Sequence, residues 1–158
     1  MFLADLEIRR SMSMNGAAEG VVVVRGESRG FVQEIIAGAH RLRADEPAAA
    51  GGTDTGPTPY DLLLAALGSC TSMTMAMYAR RKQWRLERVT VRLRHSRTHA
   101  ADCATCDTRE AKLTVIDREI ELEGSLDDEQ RARLLSIANR CPVHVTLTST
   151  IEIQTRLV

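Results

Sequence analysis

An α+β fold in one domain spanning residues 1–158 is what this sequence predicts, and three observations carry the expectation. No residue between Leu62 and Ala79 is charged, which marks a long core helix. Alternating or β-branched runs lie on both sides of that helix. The elements also come in blocks (strands, helix, strands, helix, strand) rather than in the strict alternation of a doubly wound sheet. At 158 residues, 44% of them hydrophobic, the chain is long enough to bury a core of its own.

In order, Val21-Val22-Val23-Val24 is the first strand, Gly26-Glu27-Ser28 a turn, and Phe31 to Ala37 a second strand, together a hairpin. Gly38 turns the chain again, and His40 to Ala44 forms a third short strand that Pro47 stops. Residues 45 to 57 are loop. The first helix starts near Pro59: Thr58 suits the N-cap, proline suits the first helical position, and Asp61 completes a capping box. Apolar and small residues occupy every face of it, so it is expected to be buried on all sides. Arg80, Arg81 and Lys82 match the negative end of its dipole. Its length suits a membrane span, but Ser69, Thr71, Ser72 and Thr74 interrupt it, and a span is rejected.

Val89, Val91, Leu93 and His95 then alternate with Arg88, Thr90, Arg92 and Arg94 as a half-buried strand. Residues 96 to 110 read as a polar loop or hairpin tip, and Lys112 to Leu122 as further strand with a bend or bulge near Asp117. Ser125 and Asp128 suggest a second capping box, opening a helix over 126–140. Cys141-Pro142 breaks that helix and starts a short turn with Cys141 in the cap position. Ile151, Ile153 and Thr155 alternate in a closing strand.

The balance of 21 basic and 21 acidic residues gives no electrostatic ground for nucleic acid or an anionic membrane as partner. Aromatic residues are 3% of the chain, too few for a base-stacking platform. Asp5, Glu7, Arg9 and Arg10 interrupt any signal-peptide core, so a reducing cytoplasm is expected, where four cysteines serve chemistry more than structure. Cys141, at a helix start, would face free backbone N–H groups that favour its thiolate. His144, three residues on, is either a local base or a cap. His95, His99, Cys103 and Cys106 form H-x3-H-x3-C-x2-C. That pattern fits a zinc site, a dithiol redox pair, or an incidental polar hairpin tip.

Two stretches, GPTPYDLLLAALGSC ending at Cys70 and CPVH starting at Cys141, resemble the OsmC/Ohr superfamily of thiol peroxidases. Ala44-Asp45-Glu46-Pro47, Gly51-Gly52, Gly56-Pro57-Thr58-Pro59-Tyr60, Leu67-Gly68-Ser69-Cys70-Thr71 and Cys141 to Leu147 are similar to the pattern of one subgroup. The resemblance covers nearly the whole chain. It implies an N-terminal antiparallel three-stranded sheet, two long central helices, a second antiparallel sheet and an intertwined homodimer. It also implies that Cys70 attacks a hydroperoxide and that Cys141 resolves the resulting sulfenic acid to a disulfide, with a dithiol reductant as co-substrate and no other cofactor.

In that family an arginine of the N-terminal hairpin, held by a glutamate ten residues before the attacking cysteine, supplies the cation. Here Tyr60 stands at that position and the nearest acid is Asp61. Arg25 and Arg29 are the candidate cations, with Arg25 favoured. Leu63, Ala66, Leu67 and Met73 would favour organic hydroperoxides over hydrogen peroxide. The alternative from another class is a non-catalytic module of the same fold that senses or holds a small apolar or electrophilic ligand.

Overall fold

The computed structural model describes residues 20–99 and 112–158, so Cys103, Cys106 and the side chain of His99 lie outside the described residues. The chain divides into two compact units, Met1–Leu62 and Leu63–Val158, each described by itself.

In the first unit, β1 (Val22–Gly26), β2 (Gln33–Ala37) and β3 (His40–Ala44) form an antiparallel meander in that order. The second strand begins at Gln33 rather than at Phe31, whose side chain is exposed. Gly38 turns β2 into β3 with a φ of 59°, a left-handed conformation that glycine adopts without steric cost. The register sets Arg25 opposite Glu34. Glu34 accepts a hydrogen bond from Arg41 at 2.8 Å, while Arg25 lies 3.9 Å from the same carboxylate.

Just past β3, Asp45 is 1% exposed and organises the loop that follows. Its carboxylate accepts from Glu46 N at 2.8 Å, Thr53 N at 3.0 Å, Thr53 Oγ1 at 2.6 Å, Thr55 N at 3.1 Å and Thr55 Oγ1 at 3.0 Å. A buried carboxylate is tolerated when its lone pairs are filled in this way. A Cβ at Gly52 would collide with the Glu46 carbonyl, so this glycine is required by close backbone approach rather than by its dihedral angles. The Ala44-Asp45-Glu46-Pro47 and Gly51-Gly52 motifs thus build a loop that wraps around one carboxylate. A single 3₁₀ turn, Ala48–Ala50, lies inside it.

Helix α1 (Pro59–Lys82) starts as the sequence indicates. Asp61 N donates to Thr58 Oγ1 at 3.2 Å, and the Asp61 carboxylate accepts from Thr58 N at 3.0 Å and Thr58 Oγ1 at 2.7 Å. Its C-terminus closes in a Schellman motif: Gln83 N donates to Arg80 O at 3.1 Å and Trp84 N to Ala79 O at 3.0 Å. Gln83 takes the left-handed position with a φ of 57°.

The expectation of burial on all sides is corrected. Leu67, Thr71, Met75 and Ala79, four residues apart each time, form one buried stripe, with Gly68 beside it. Met73 is 68% and Met77 54% exposed. An apolar surround predicts that something covers each face, and nothing in the described chain covers this one. By length and composition the helix could cross a membrane. Its buried stripe instead packs into a protein core, where Met75, Ala79, Leu134 and Ala138 meet Tyr78, Trp84, Leu86, Val89, Ile120, Leu122 and Leu126.

Strands β4 (Arg85–His99) and β5 (Lys112–Ser125) pair antiparallel along their whole length. The irregularity lies between Leu86 and Arg88, at the base of the hairpin, and pairing runs unbroken through Asp117, where the sequence suggests a bend. β4 also continues three residues past Ser96, where the sequence suggests the start of a loop.

Helix α2 (Asp128–Ala138) is capped one pair of residues later than the sequence suggests. Asp127 Oδ1 accepts from Gln130 N at 2.7 Å and Gln130 Oε1 accepts from Asp127 N at 3.3 Å, because Ser125 is still the last residue of β5. Helix α3 (Pro142–Leu147) follows, with Cys141 as N-cap. The closing strand expected over Ile151–Thr155 is absent: residues 151–158 carry no regular structure, and Ile151, Ile153, Leu157 and Val158 are exposed. Despite its period-two alternation, this segment pairs with no strand of the described chain.

Candidate functional site

Within the second unit, three elements converge on one sulfur. Cys141 is 0% exposed and Cys70, on α1, is partly buried; both are free thiols. Cys141 Sγ accepts a hydrogen bond from His144 N at 3.3 Å, the helix-start arrangement that the Cys141-Pro142 break encodes. From α1, Thr71 Oγ1 lies 3.6 Å from the same sulfur. Cys70, the residue next to Thr71 on α1, is among the groups that act on the Cys141 thiol. Residues 71 positions apart in sequence (141 minus 70) therefore share one site.

β5 brings the charge. Ile116, Arg118, Ile120 and Leu122 alternate onto the inner side of the strand, and from it Arg118 reaches Thr71, the neighbour of Cys70. Its Nη1 donates to Thr71 Oγ1 at 3.0 Å and to Ala138 O at 3.3 Å, and its Nη2 donates to Asn139 Oδ1 at 2.6 Å. These three acceptors are neutral groups, so the positive charge is left to act on the sulfur.

The balance at Cys141 favours the thiolate. Burial pushes its thiol up, but the His144 N–H, the Thr71 hydroxyl, the Cys70 thiol and the Arg118 guanidinium together bring it below the ordinary cysteine value.

The other residues expected at the site fall as follows. Arg25 lies on the exposed hairpin with Glu34 as its nearest acid, and Arg29 in the exposed turn that follows. Asp61 holds the start of α1 through Thr58. His144 contributes its backbone N–H to Cys141. Of the four residues read as zinc ligands, only His95 has a described side chain, so that pattern lies outside the described residues. Among the described residues no group of three or more His, Cys, Asp or Glu is placed to hold a metal.

Arg118 and Asn139 are residues of the site that the sequence reading does not single out, and Thr71 enters that reading as part of the motif around Cys70, with no role at the site given. For Arg118 the signal was present: an arginine at an inward position of an alternating strand must find buried acceptors. Thr71 and Asn139 carried no such signal. An open groove of about 710 Å³, lined by Ser72, Met73, Met77, Arg80, Trp84 and Leu86 among others, contains neither cysteine.

Comparison with known proteins bears on the fold and the family. A search of curated proteins returns no match. Among solved structures, an OsmC-like protein from Mycoplasma pneumoniae aligns with a TM-score of 0.62 at 20% identity, covering 85% of this chain and 89% of that one. An organic hydroperoxide resistance protein OsmC from Legionella pneumophila aligns with a TM-score of 0.59 at 18% identity, covering 81% and 88%. The organic hydroperoxide resistance protein OhrB of Bacillus subtilis aligns with a TM-score of 0.56 at 20% identity, covering 81% and 89%. At these identities the likeness is one of fold. The sequence profile of the OsmC-like proteins matches residues 52–156, a span that takes in both cysteines and Arg118, and the chain belongs to that family.

Proposed function

We propose that the protein is a thiol-dependent peroxidase that reduces organic hydroperoxides through Cys70 and Cys141. The observation that carries this reading is that Thr71, the neighbour of Cys70 on α1, lies 3.6 Å from the sulfur of the buried Cys141, whose thiol is lowered from its ordinary value. In the first step the Cys70 thiolate attacks the O–O bond. One oxygen stays on sulfur as sulfenic acid, and the other leaves as the alkoxide and takes a proton to become the alcohol. In the second step the Cys141 thiolate attacks the Cys70 sulfur, the S–S bond forms, and the hydroxide that leaves is protonated to water. A dithiol reductant then returns both cysteines to thiols. Two thiols are oxidised for each O–O bond reduced, so no metal or organic cofactor is required by the electron count.

The substrate class, compartment and assembly belong to the same proposal. The family relatives named for organic hydroperoxide resistance support the substrate class. The apolar residues near Cys70, Leu63, Ala66 and Leu67 among them, favour an alkyl chain over water-like hydrogen peroxide. A reducing cytoplasm is the compartment we propose, because it supplies the dithiol. The exposed apolar side of α1 supports a homodimer.

A non-catalytic module of the same fold is the second reading. Tyr60 at the position of the family's glutamate, together with Arg25 facing Glu34 across the hairpin, favours it.

Turnover of cumene hydroperoxide or tert-butyl hydroperoxide with a dithiol separates the two. The wild type should consume hydroperoxide and Cys70→Ser should not, with a loss of at least ~10²-fold. Equal, slow consumption by both would end the peroxidase reading and leave the binding module.

A further inference from the structure

We propose that Arg118 is a positioning residue for Cys141, acting through the Thr71 hydroxyl, whose single proton it directs toward the sulfur when the thiol ionises. The inference deepens the peroxidase reading for the resolving step, but its first measurement does not depend on that reading.

Thr71 has one proton to give and accepts through its lone pairs. One lone pair is taken by Arg118 Nη1 at 3.0 Å. Its proton has two acceptors in reach, Leu67 O at 2.8 Å and Cys141 Sγ at 3.6 Å. The 3.6 Å contact can be made by either donor; with Cys141 a thiol and the hydroxyl donating to Leu67 O, the S–H is the donor left for Thr71 Oγ1. When the thiol proton leaves, sulfur and oxygen would face each other with lone pairs only. Rotation of the Thr71 hydroxyl then turns its proton to the sulfur, while Leu67 O keeps its ordinary helical partner, the backbone N–H four residues on.

Arg118 favours the second arrangement in two ways. It holds an oxygen lone pair in a fixed direction, which leaves the hydroxyl proton free to face the sulfur, and its charge polarises the O–H bond. Its fork is itself immobilised by Ala138 O at 3.3 Å and Asn139 Oδ1 at 2.6 Å at the end of α2. The charged and titratable groups around Cys141 are Cys70 from α1, Arg118 from β5, and His144 and the exposed Arg140 from its own segment. Arg118 is the permanent charge that acts on the sulfur from another element.

In the resolving step the Cys141 thiolate forms the S–S bond to Cys70 as the sulfenic S–O bond breaks, and hydroxide leaves to become water. A larger thiolate fraction at neutral pH makes this step faster.

The test starts without peroxide. The far-ultraviolet thiolate absorbance of reduced protein is followed against pH, and the difference between each protein and its Cys141→Ser counterpart gives the Cys141 midpoint. Arg118→Met should raise that midpoint by about one pH unit, and Arg118→Lys, which keeps the charge and loses the fork, by less. Thr71→Val should raise it as well, and the double variant should move it by less than the sum of the two single shifts. An unchanged midpoint in Arg118→Met would overturn the proposal. Additive shifts would overturn the route through Thr71.

The second measurement uses hydroperoxide and follows dimedone-trapped sulfenic acid on Cys70. It should accumulate in Arg118→Met as disulfide formation slows about threefold at neutral pH, the roughly tenfold loss of thiolate being partly offset by the greater nucleophilicity of a more basic thiolate. Should the wild type form no sulfenic acid at all, the peroxidase reading falls while the midpoint measurement still decides the role of Arg118. Arg118→Lys, which retains a cation for Thr71 and Ala138, keeps the test open if Arg118→Met does not fold.

Discussion

Asp45 and Cys141 each have the charged form of their side chain favoured by donors the fold delivers. At Asp45 the Thr53 hydroxyl is the largest contributor. The Thr55 N–H adds to it against the opposing effect of burial, and the Glu46 N–H and Thr55 hydroxyl complete the set. The carboxyl is held well below the usual carboxylate range. Because the folded value is depressed, the resulting stabilisation is present above the unfolded carboxylate value of about 3.9 and is lost as the pH falls toward the folded value. Thermal melts of wild type and Asp45→Asn across acid pH would check this. The asparagine variant should melt at a lower temperature than wild type at neutral pH, and the gap should narrow steadily from about pH 5 downward. A gap independent of pH would mean that the carboxylate charge contributes nothing there. At Cys141 the same sign applies: the lowered thiol keeps its charged form to lower pH than a free cysteine does.

The elements are specified by local chemistry, and α1 shows how far that goes. Thr58, Pro59 and Asp61 start it as read from the chain, and Gln83 ends it in a left-handed conformation normally given to glycine. For a residue with a Cβ this conformation costs ~1–2 kcal/mol. Glycine avoids that cost but gains freedom in the unfolded chain, ~0.5–1 kcal/mol. Gln83→Gly should therefore stabilise the protein by about 0.5–1 kcal/mol, read as a higher denaturant midpoint with an unchanged m-value. A lower midpoint would show that the Gln83 side chain contributes more than its backbone conformation costs. β5 makes the complementary point. Its alternation puts Arg118 among Ile116, Ile120 and Leu122, and a guanidinium on that side is tolerated because Thr71, Ala138 and Asn139 accept its hydrogen bonds.

At the scale of the molecule, the described chain leaves apolar surface uncovered. Met73 and Met77 lie four residues apart on the uncharged stretch of α1 between Leu62 and Ala79, and Ile151, Ile153, Leu157 and Val158 lie on a segment that pairs with no strand of the described chain. A second copy is the covering surface we propose for α1. Sedimentation velocity should give a dimer for the wild type and a monomer for the double variant Met73→Glu, Met77→Glu, since two buried carboxylates in an apolar interface cost several kcal/mol. A monomeric wild type, or a dimer indifferent to both substitutions, would remove α1 from the interface.

Along the chain alone, most of the elements, the N-cap of α1, the position of Cys141 at a helix start and the family resemblance around both cysteines were legible. Each is written in residues within a few positions of one another. The closing strand over Ile151–Thr155 was misread because period-two alternation marks a chain that is able to pair and does not say with what. The full burial of α1 was misread because apolar composition does not name the covering surface. That Arg118, Thr71 and Cys141 meet was decided by packing: alternation shows which side of β5 the arginine occupies, but only the approach of α1 and α2 to that side supplies its acceptors and brings its charge to the sulfur.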